Sequence, residues 1–121
     1  MDDSHTTIAQ LKEQIRDFCS QRDWDQYHNA KDLAIGVATE AAELLEHFRF
    51  RSPEECEALF RDPDRRQAIA HELADVLYFA LRLAERYGID VAAATAEKLR
   101  VNAEKYPVEK ARGRNAKYTE L

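Results

Sequence analysis

An all-α fold is predicted, on three observations. Only three glycines and three prolines occur in 121 residues, and they punctuate long periodic segments. Within those segments apolar residues recur every three or four positions, the period of a helix with one buried face. The punctuation also carries helix signals: Ser52 before Pro53, Asp90 before an alanine-rich run, and Gly88 after a long apolar stretch.

The first helix spans about Thr7 to Arg22, with Ile8, Leu11, Ile15, Phe18 and Cys19 as its apolar stripe. The stretch RDWDQYHNAKD then breaks the period. A second helix follows from about Ala30 to Phe48. The connection RFRSPEECEALFRDPD holds one short helix, for which Ser52 at the N-cap, Pro53 at the first position and Glu55 at the third are favourable. The third main helix runs from about Asp64 to Tyr87 and stops at Gly88, a residue suited to the left-handed C′ position. Asp90 caps a fourth, which runs to Tyr106 and is ended by Pro107. The tail VEKARGRNAKYTEL has little apolar content and reads as an extended or partly disordered arm over residues 108–121.

Size and charge restrict the function classes. At 121 residues the chain reads as one domain, small for a buried active site unless subunits share it. A net charge of −5 offers no general basic patch, so nucleic acid is not an expected partner. Cys19 and Cys56 form no CxxC pair, which argues against a zinc site or a disulfide framework. The N-terminus lacks an apolar h-region and no stretch approaches the ~20 apolar residues of a membrane span, so no membrane association and a cytoplasmic location are expected.

Carboxylates carry the chemical signal. On the second helix Asp32, Gly36, Thr39, Glu40, Glu43, Glu46 and His47 share one arc, opposite Leu33, Ala34, Val37, Ala38, Ala41, Leu44, Leu45 and Phe48. That polar arc holds no Lys or Arg, although solvent faces ordinarily mix signs. On the third helix Glu72 falls inside the apolar arc, beside Ile69, Val76, Phe79 and Leu83, and Asp75 lies at its edge. A buried carboxylate without a partner costs several kcal/mol, so Glu72 requires a cation, a proton or an opening to solvent. An arginine of the same helix such as Arg82 could pair with it, but that side chain projects away from Glu72.

Glu40-x-x-Glu43 and Glu72-x-x-Asp75 each place two carboxylates one turn apart. Facing one another they would form a cage of hard oxygen ligands, suited to Mg²⁺ or Mn²⁺ rather than zinc. Di-iron bundles would show Glu-x-x-His at these places, which this chain lacks. The fourth helix adds a stripe of Lys98, Asn102, Lys105 and Tyr106, whose ammonium, amide and phenol groups can donate to phosphate oxygens.

Taken together, RDWDQYHNAKDLAIGVATEAAELLEHFRF, HELADVLYFALRLAERYGIDV, EKLRVNAEKYPV and the terminal KYTEL resemble the MazG-like all-α nucleoside triphosphate pyrophosphohydrolases, and most of all their dCTP pyrophosphatase branch. The resemblance covers about residues 10 to 121. It implies a four-helix MazG-like bundle and Mg²⁺-dependent hydrolysis of a nucleoside triphosphate, dCTP or a modified dCTP, to the monophosphate and pyrophosphate. Glu40, Glu43, Glu72 and Asp75 match the family's metal-binding acids, with Glu40 or Glu43 as the group that orients or deprotonates the attacking water. Lys98, Asn102, Lys105 and Tyr106 match its phosphate and sugar contacts.

Trp24 matches an aromatic that packs on the base, and His28, Asn29, Lys31 and Asp32 match the segment entering the metal helix. Phe50 stands where the branch can carry a tryptophan, and Ile15 where it can carry a histidine near the base. Phe79, between the acids and the helix end, is a further expected substrate contact.

The wide apolar arcs of the second and third helices exceed what one short bundle can cover, which predicts a homo-oligomer. The resemblance favours a tetramer over a dimer. A non-catalytic helical module that binds nucleotide or protein is the alternative reading.

Overall fold

The computed structural model describes residues Met1–Leu121 and is built from helices alone. They are α1 (Ile8–Ser20), α2 (Ala30–Glu46), α3 (Pro53–Leu59), α4 (Pro63–Arg86), α5 (Val91–Lys105) and α6 (Val108–Ala111). Short 3₁₀ turns occupy Asp25–Tyr27 and Tyr118–Glu120. No helix is long and apolar enough to cross a membrane.

Local chemistry accounts for the boundaries. At the start of α1 the Thr7 and Gln10 side chains cap each other's backbone N–H groups, and Ser52 and Glu55 do the same for α3. Asp62 accepts from the Asp64 backbone N–H with Pro63 in the first turn of α4, one residue earlier than the sequence suggested. Gly88 takes φ +64 just beyond α4, the left-handed conformation expected of it.

The chain divides into two compact units, Met1–Gly88 and Ile89–Leu121. In the first, α2 and α4 are the principal helix pair and α1 packs on α4. Leu33, Ile69, Leu81 and Ala84 are buried with Cys19 and Leu59, and the Arg82 side chain lies fully buried among them.

The face that α2 turns inward differs from its apolar arc. Leu33 is buried and Gly36, Val37, Glu40 and Leu44 are half-buried, whereas Ala34, Ala38, Ala41 and Leu45 are exposed. Gly36, which the helical projection placed on the polar arc with Glu40 and Glu43, is an inward residue. A Cβ built on it would lie no more than 2.7 Å from three atoms of the Phe79 ring on α4. Glycine in a helix interior costs about 0.5–1 kcal/mol relative to alanine, and this close approach is the physical reason for it here.

Seven residues separate Gly36 from Glu43 and seven separate Glu72 from Phe79. Gly36 meets Phe79 and Glu43 meets Glu72, so α2 and α4 run antiparallel with a common two-turn repeat. Ala70, Leu73, Ala74 and Leu77 line a second exposed apolar stripe, on α4.

In the second unit Asp90 caps α5 by accepting from the Ala93 backbone N–H at 2.9 Å. The segment expected to be an extended or disordered arm is instead folded. Its aromatic residue is the reason: Tyr118 packs edge-on against Tyr106 with ring centroids 6.0 Å apart, and the Lys105 ammonium lies 5.0 Å from the Tyr118 ring centre. Arg114 donates to the Glu120 carbonyl at 3.2 Å, closing the last turn of chain.

Candidate active site

Three carboxylates converge between α2 and α4. Glu40 and Glu43, one turn apart on α2, and Glu72 on α4 each present an oxygen, and these oxygens lie within 4.8 Å of one another. Oε2 of Glu40 and Oε2 of Glu72 are buried without any hydrogen-bond partner. Buried polar atoms ordinarily find a partner. Two unpartnered oxygens on residues of one cluster of hard donors fit a small divalent cation such as Mg²⁺ or Mn²⁺.

The electrostatics agree. The Glu40 carboxyl is pushed up from the usual 4.5 to about 7, first by burial and then by the neighbouring carboxyl of Glu43 and the charges of Asp75 and Glu72. The charges that raise it, those of Glu43, Asp75 and Glu72, are all acids, so a cation placed among them would be favoured. Asp75 stands outside the tight trio. It is exposed, yet near enough for its charge to act on Glu40.

In the last turns of α4 an arginine ties down the segment before α2. Arg82 donates from Nε to His28 Nδ1 at 2.9 Å, from Nη1 to Glu85 at 2.6 Å and from Nη2 to the Asp25 carboxylate. Arg86 adds bonds to the backbone carbonyls of His28 at 3.3 Å and Asp25 at 3.4 Å. The bond from Arg82 holds the Asp25 carboxyl below its ordinary range. Burial, then the Arg82 charge, pushes His28 down, consistent with a neutral ring accepting at Nδ1.

Asn29 and Asp32, expected near the metal helix, form the cap of α2. The Asn29 side chain accepts from the Asp32 N–H at 2.9 Å and donates to the Asp32 carboxylate at 2.7 Å. Lys31 is exposed in the first turn.

An aromatic row runs from Trp24 toward the acid helices. Trp24, 39% exposed, packs on Phe18 at 5.7 Å, Phe18 on Tyr78 at 6.2 Å, and Tyr78 on Phe79 at 5.0 Å, all edge to face. Leu11, Gln14, Ile15, Phe18 and Tyr78 line an open cavity of about 250 Å³ along this row. The Tyr78 hydroxyl sits 3.1 Å from Cys19 Sγ, and burial raises its pKa above the ordinary phenol value.

Phe50 is placed differently. It is 91% exposed at φ +64, with the Arg49 guanidinium 4.4 Å from its ring centre, and the chain brings it against no other aromatic group. Within the second unit, Lys98 is exposed, Asn102 is half-buried, and Lys105 and Tyr106 hold Tyr118.

Sequence reasoning missed two residues here. Arg82 was assessed only as a partner for Glu72; a lone arginine between Leu81 and Leu83 in an apolar run was the available signal that it is a buried anchor. Gly36 was noted only as a member of the polar arc, although a glycine amid good helix formers asks for a packing reason.

Comparison with known proteins agrees with this architecture. The profile of the MazG-like family matches residues 35–121. The chain is 34% identical over 115 residues to rat dCTP pyrophosphatase 1, covering 95% of this chain and 68% of that protein. Against the human dCTP pyrophosphatase 1 the identity is 33% over 115 residues, with the same coverage. A crystal structure of a pyrophosphatase from Archaeoglobus fulgidus DSM 4304 superposes with a TM-score of 0.78 at 33% identity, covering 88% of this chain and 98% of that one. The chain belongs to the MazG-like family.

Proposed function

We propose that this protein is a Mg²⁺-dependent nucleoside triphosphate pyrophosphohydrolase that cleaves dCTP or a modified dCTP to the monophosphate and pyrophosphate, clearing unwanted nucleotides from the cytoplasmic pool. The observation that carries this reading is the carboxylate trio of Glu40, Glu43 and Glu72 with two buried, unpartnered oxygens, in a chain 34% identical to a dCTP pyrophosphatase.

Glu40, Glu43, Glu72 and Asp75 would hold the cation. Bound there, Mg²⁺ or Mn²⁺ supplies positive charge for the phosphate oxygens and lowers the pKa of water. Glu40 or Glu43, one turn apart on α2, would orient the attacking water or accept its proton. Trp24 and the cavity lined by Ile15, Phe18 and Tyr78 offer an apolar seat for a base. Arg82 keeps the Asp25–His28 segment in place, so that Trp24 does not have to be ordered when substrate arrives.

Lys98, Asn102, Lys105 and Tyr106 are the proposed phosphate and sugar contacts, on their likeness to the MazG-like motif. Lys31, His28, Phe50 and Phe79 complete the proposed substrate contacts.

The working form is a homo-oligomer, with a tetramer favoured over a dimer. The exposed stripes Ala34, Ala38, Ala41, Leu45 and Ala70, Leu73, Ala74, Leu77 support this, because they lie on the two helices that carry the acids. A monomeric mass at micromolar concentration would count against it.

Alanine at Glu43 or at Asp75 tests the assignment. Each variant should lose turnover while its helical circular dichroism stays near that of the parent, and full activity in either one refutes the proposed cage.

A further inference from the structure

The acids occupy one end of a repeat whose other end is Gly36 against Phe79. Both ends share the same two helices. Gly36 lies one turn before Glu40 and two before Glu43, and Phe79 lies one turn after Asp75 and two after Glu72. The ring of Phe79 is itself held, edge to face on Tyr78 at 5.0 Å. It has little freedom to swing aside, so the distance between α2 and α4 is set where the ring rests on the bare glycine backbone.

We infer that Gly36 and Phe79 are positioning residues for the metal centre: their contact is the spacer that sets how far the Glu40–Glu43 pair stands from Glu72. This inference rests on the reading of the acids as a divalent-cation site. A methyl group at position 36 would have to move by roughly 1.0 Å to go from 2.4 Å to an ordinary contact at 3.4 Å from the nearest ring atom. One helical turn, about 5.4 Å, separates that point from Glu40, and a stiff helix pair transmits most of the displacement. Mg²⁺ tolerates little of it, because it demands near-ideal octahedral geometry at about 2.0–2.1 Å, whereas Ca²⁺ accepts longer and more irregular shells at about 2.3–2.6 Å.

The test is a calorimetric titration of the purified full chain, without nucleotide, by Mg²⁺ and separately by Ca²⁺, beside circular dichroism. Gly36→Ala should weaken Mg²⁺ binding by about tenfold or more and Ca²⁺ binding by less than about threefold, since only Mg²⁺ requires the closer shell. Helical content should not fall, because alanine is the better helix former. Gly36→Ala combined with Phe79→Leu, which trims the ring that the methyl meets, should return Mg²⁺ affinity to within about threefold of the parent.

Parental Mg²⁺ affinity in a folded Gly36→Ala variant overturns the inference, as does failure of the double variant to recover. If Gly36→Ala does not fold, Phe79→Leu alone decides: Mg²⁺ affinity reduced at least threefold in a folded chain supports the spacer, and parental affinity refutes it. Absence of Mg²⁺, Mn²⁺ or Ca²⁺ binding by the parent itself overturns the metal reading and this inference with it, which separates that failure from failure of the spacer alone.

Discussion

Arg82 of α4 donates to Nδ1 of His28, fifty-four positions away in sequence, and the pair fastens the start of α2 to the last turns of the long helix. The arginine is fully buried, and its other partners are Asp25 and Glu85. Removing one member of a buried ionic group leaves the others uncompensated and typically costs about 3–5 kcal/mol. Because Asp25 remains partly exposed to water, Arg82→Ala should fall near the lower end, about 3 kcal/mol, in urea denaturation. Trp24 is the only tryptophan and sits beside this anchor, so its fluorescence should shift to the red in the same variant. Arg82→Lys should recover less than half of the loss, since one ammonium cannot span three partners.

Glu40 makes stability depend on pH in a defined direction. Its folded pKa of about 7 lies above the ordinary 4.5, so folding takes up a proton in that range. The metal-free protein should be most stable below about pH 4.5 with respect to this group, lose stability as pH rises toward 7, and level off above it. Glu40→Gln should flatten that slope in thermal melts. Added Mg²⁺ should raise the melting temperature at pH 8 and lose its effect as pH falls below 7, because the proton and the cation compete for the same oxygens.

The two thiols should differ in reactivity. Cys19 is fully buried against Tyr78, while Cys56 is half-buried with a weak 3.7 Å bond to the Phe48 carbonyl. A chromogenic disulfide reagent should titrate one thiol in the native protein and two in guanidinium. Rapid reaction of both under native conditions would contradict the packing of α1 on α4.

Trp24 and Phe50 should affect substrate binding more than chemistry. Stacking of a base on an aromatic ring is worth about 1–3 kcal/mol, so Trp24→Ala should raise KM by roughly tenfold with a smaller change in kcat. Phe50 adopts φ +64, a conformation that costs an L-residue about 1–2 kcal/mol. Phe50→Gly should therefore leave the folded chain at least as stable while raising KM. Steady-state kinetics with a denaturation curve for each variant check both.

Much of this was legible in the sequence because it is local. Caps at Ser52 and Asp90, the stop at Gly88 and the period of each helix depend on neighbours a few residues away, and they hold in the structure. The oddity of Glu72 in an apolar arc also survives: its Oε2 is buried and unpartnered.

The inward face of α2 did not follow from its hydrophobic arc. That arc is centred on Ala34, Ala38, Ala41 and Leu45, residues that the single chain leaves exposed, while the face turned to α4 holds Gly36 and Glu40. A helix that packs on one side and stays apolar on the other has two apolar directions, and a projection of one helix averages them. Arg82 was hidden for a related reason, since its partners Asp25 and His28 are distant in sequence. The end of the chain, poor in aliphatic residues, is ordered through Tyr118 packing on Tyr106, a contact that composition does not register.

The acids of α2 and α4 are proposed to serve the hydrolysis of a nucleoside triphosphate between its α- and β-phosphates. Chromatographic separation of products, after the purified protein is incubated with dCTP with and without Mg²⁺, tests this proposal. dCMP and pyrophosphate should form in equal amounts, and only when Mg²⁺ or Mn²⁺ is present. Release of dCDP with phosphate, or turnover undiminished by a chelator, would contradict it.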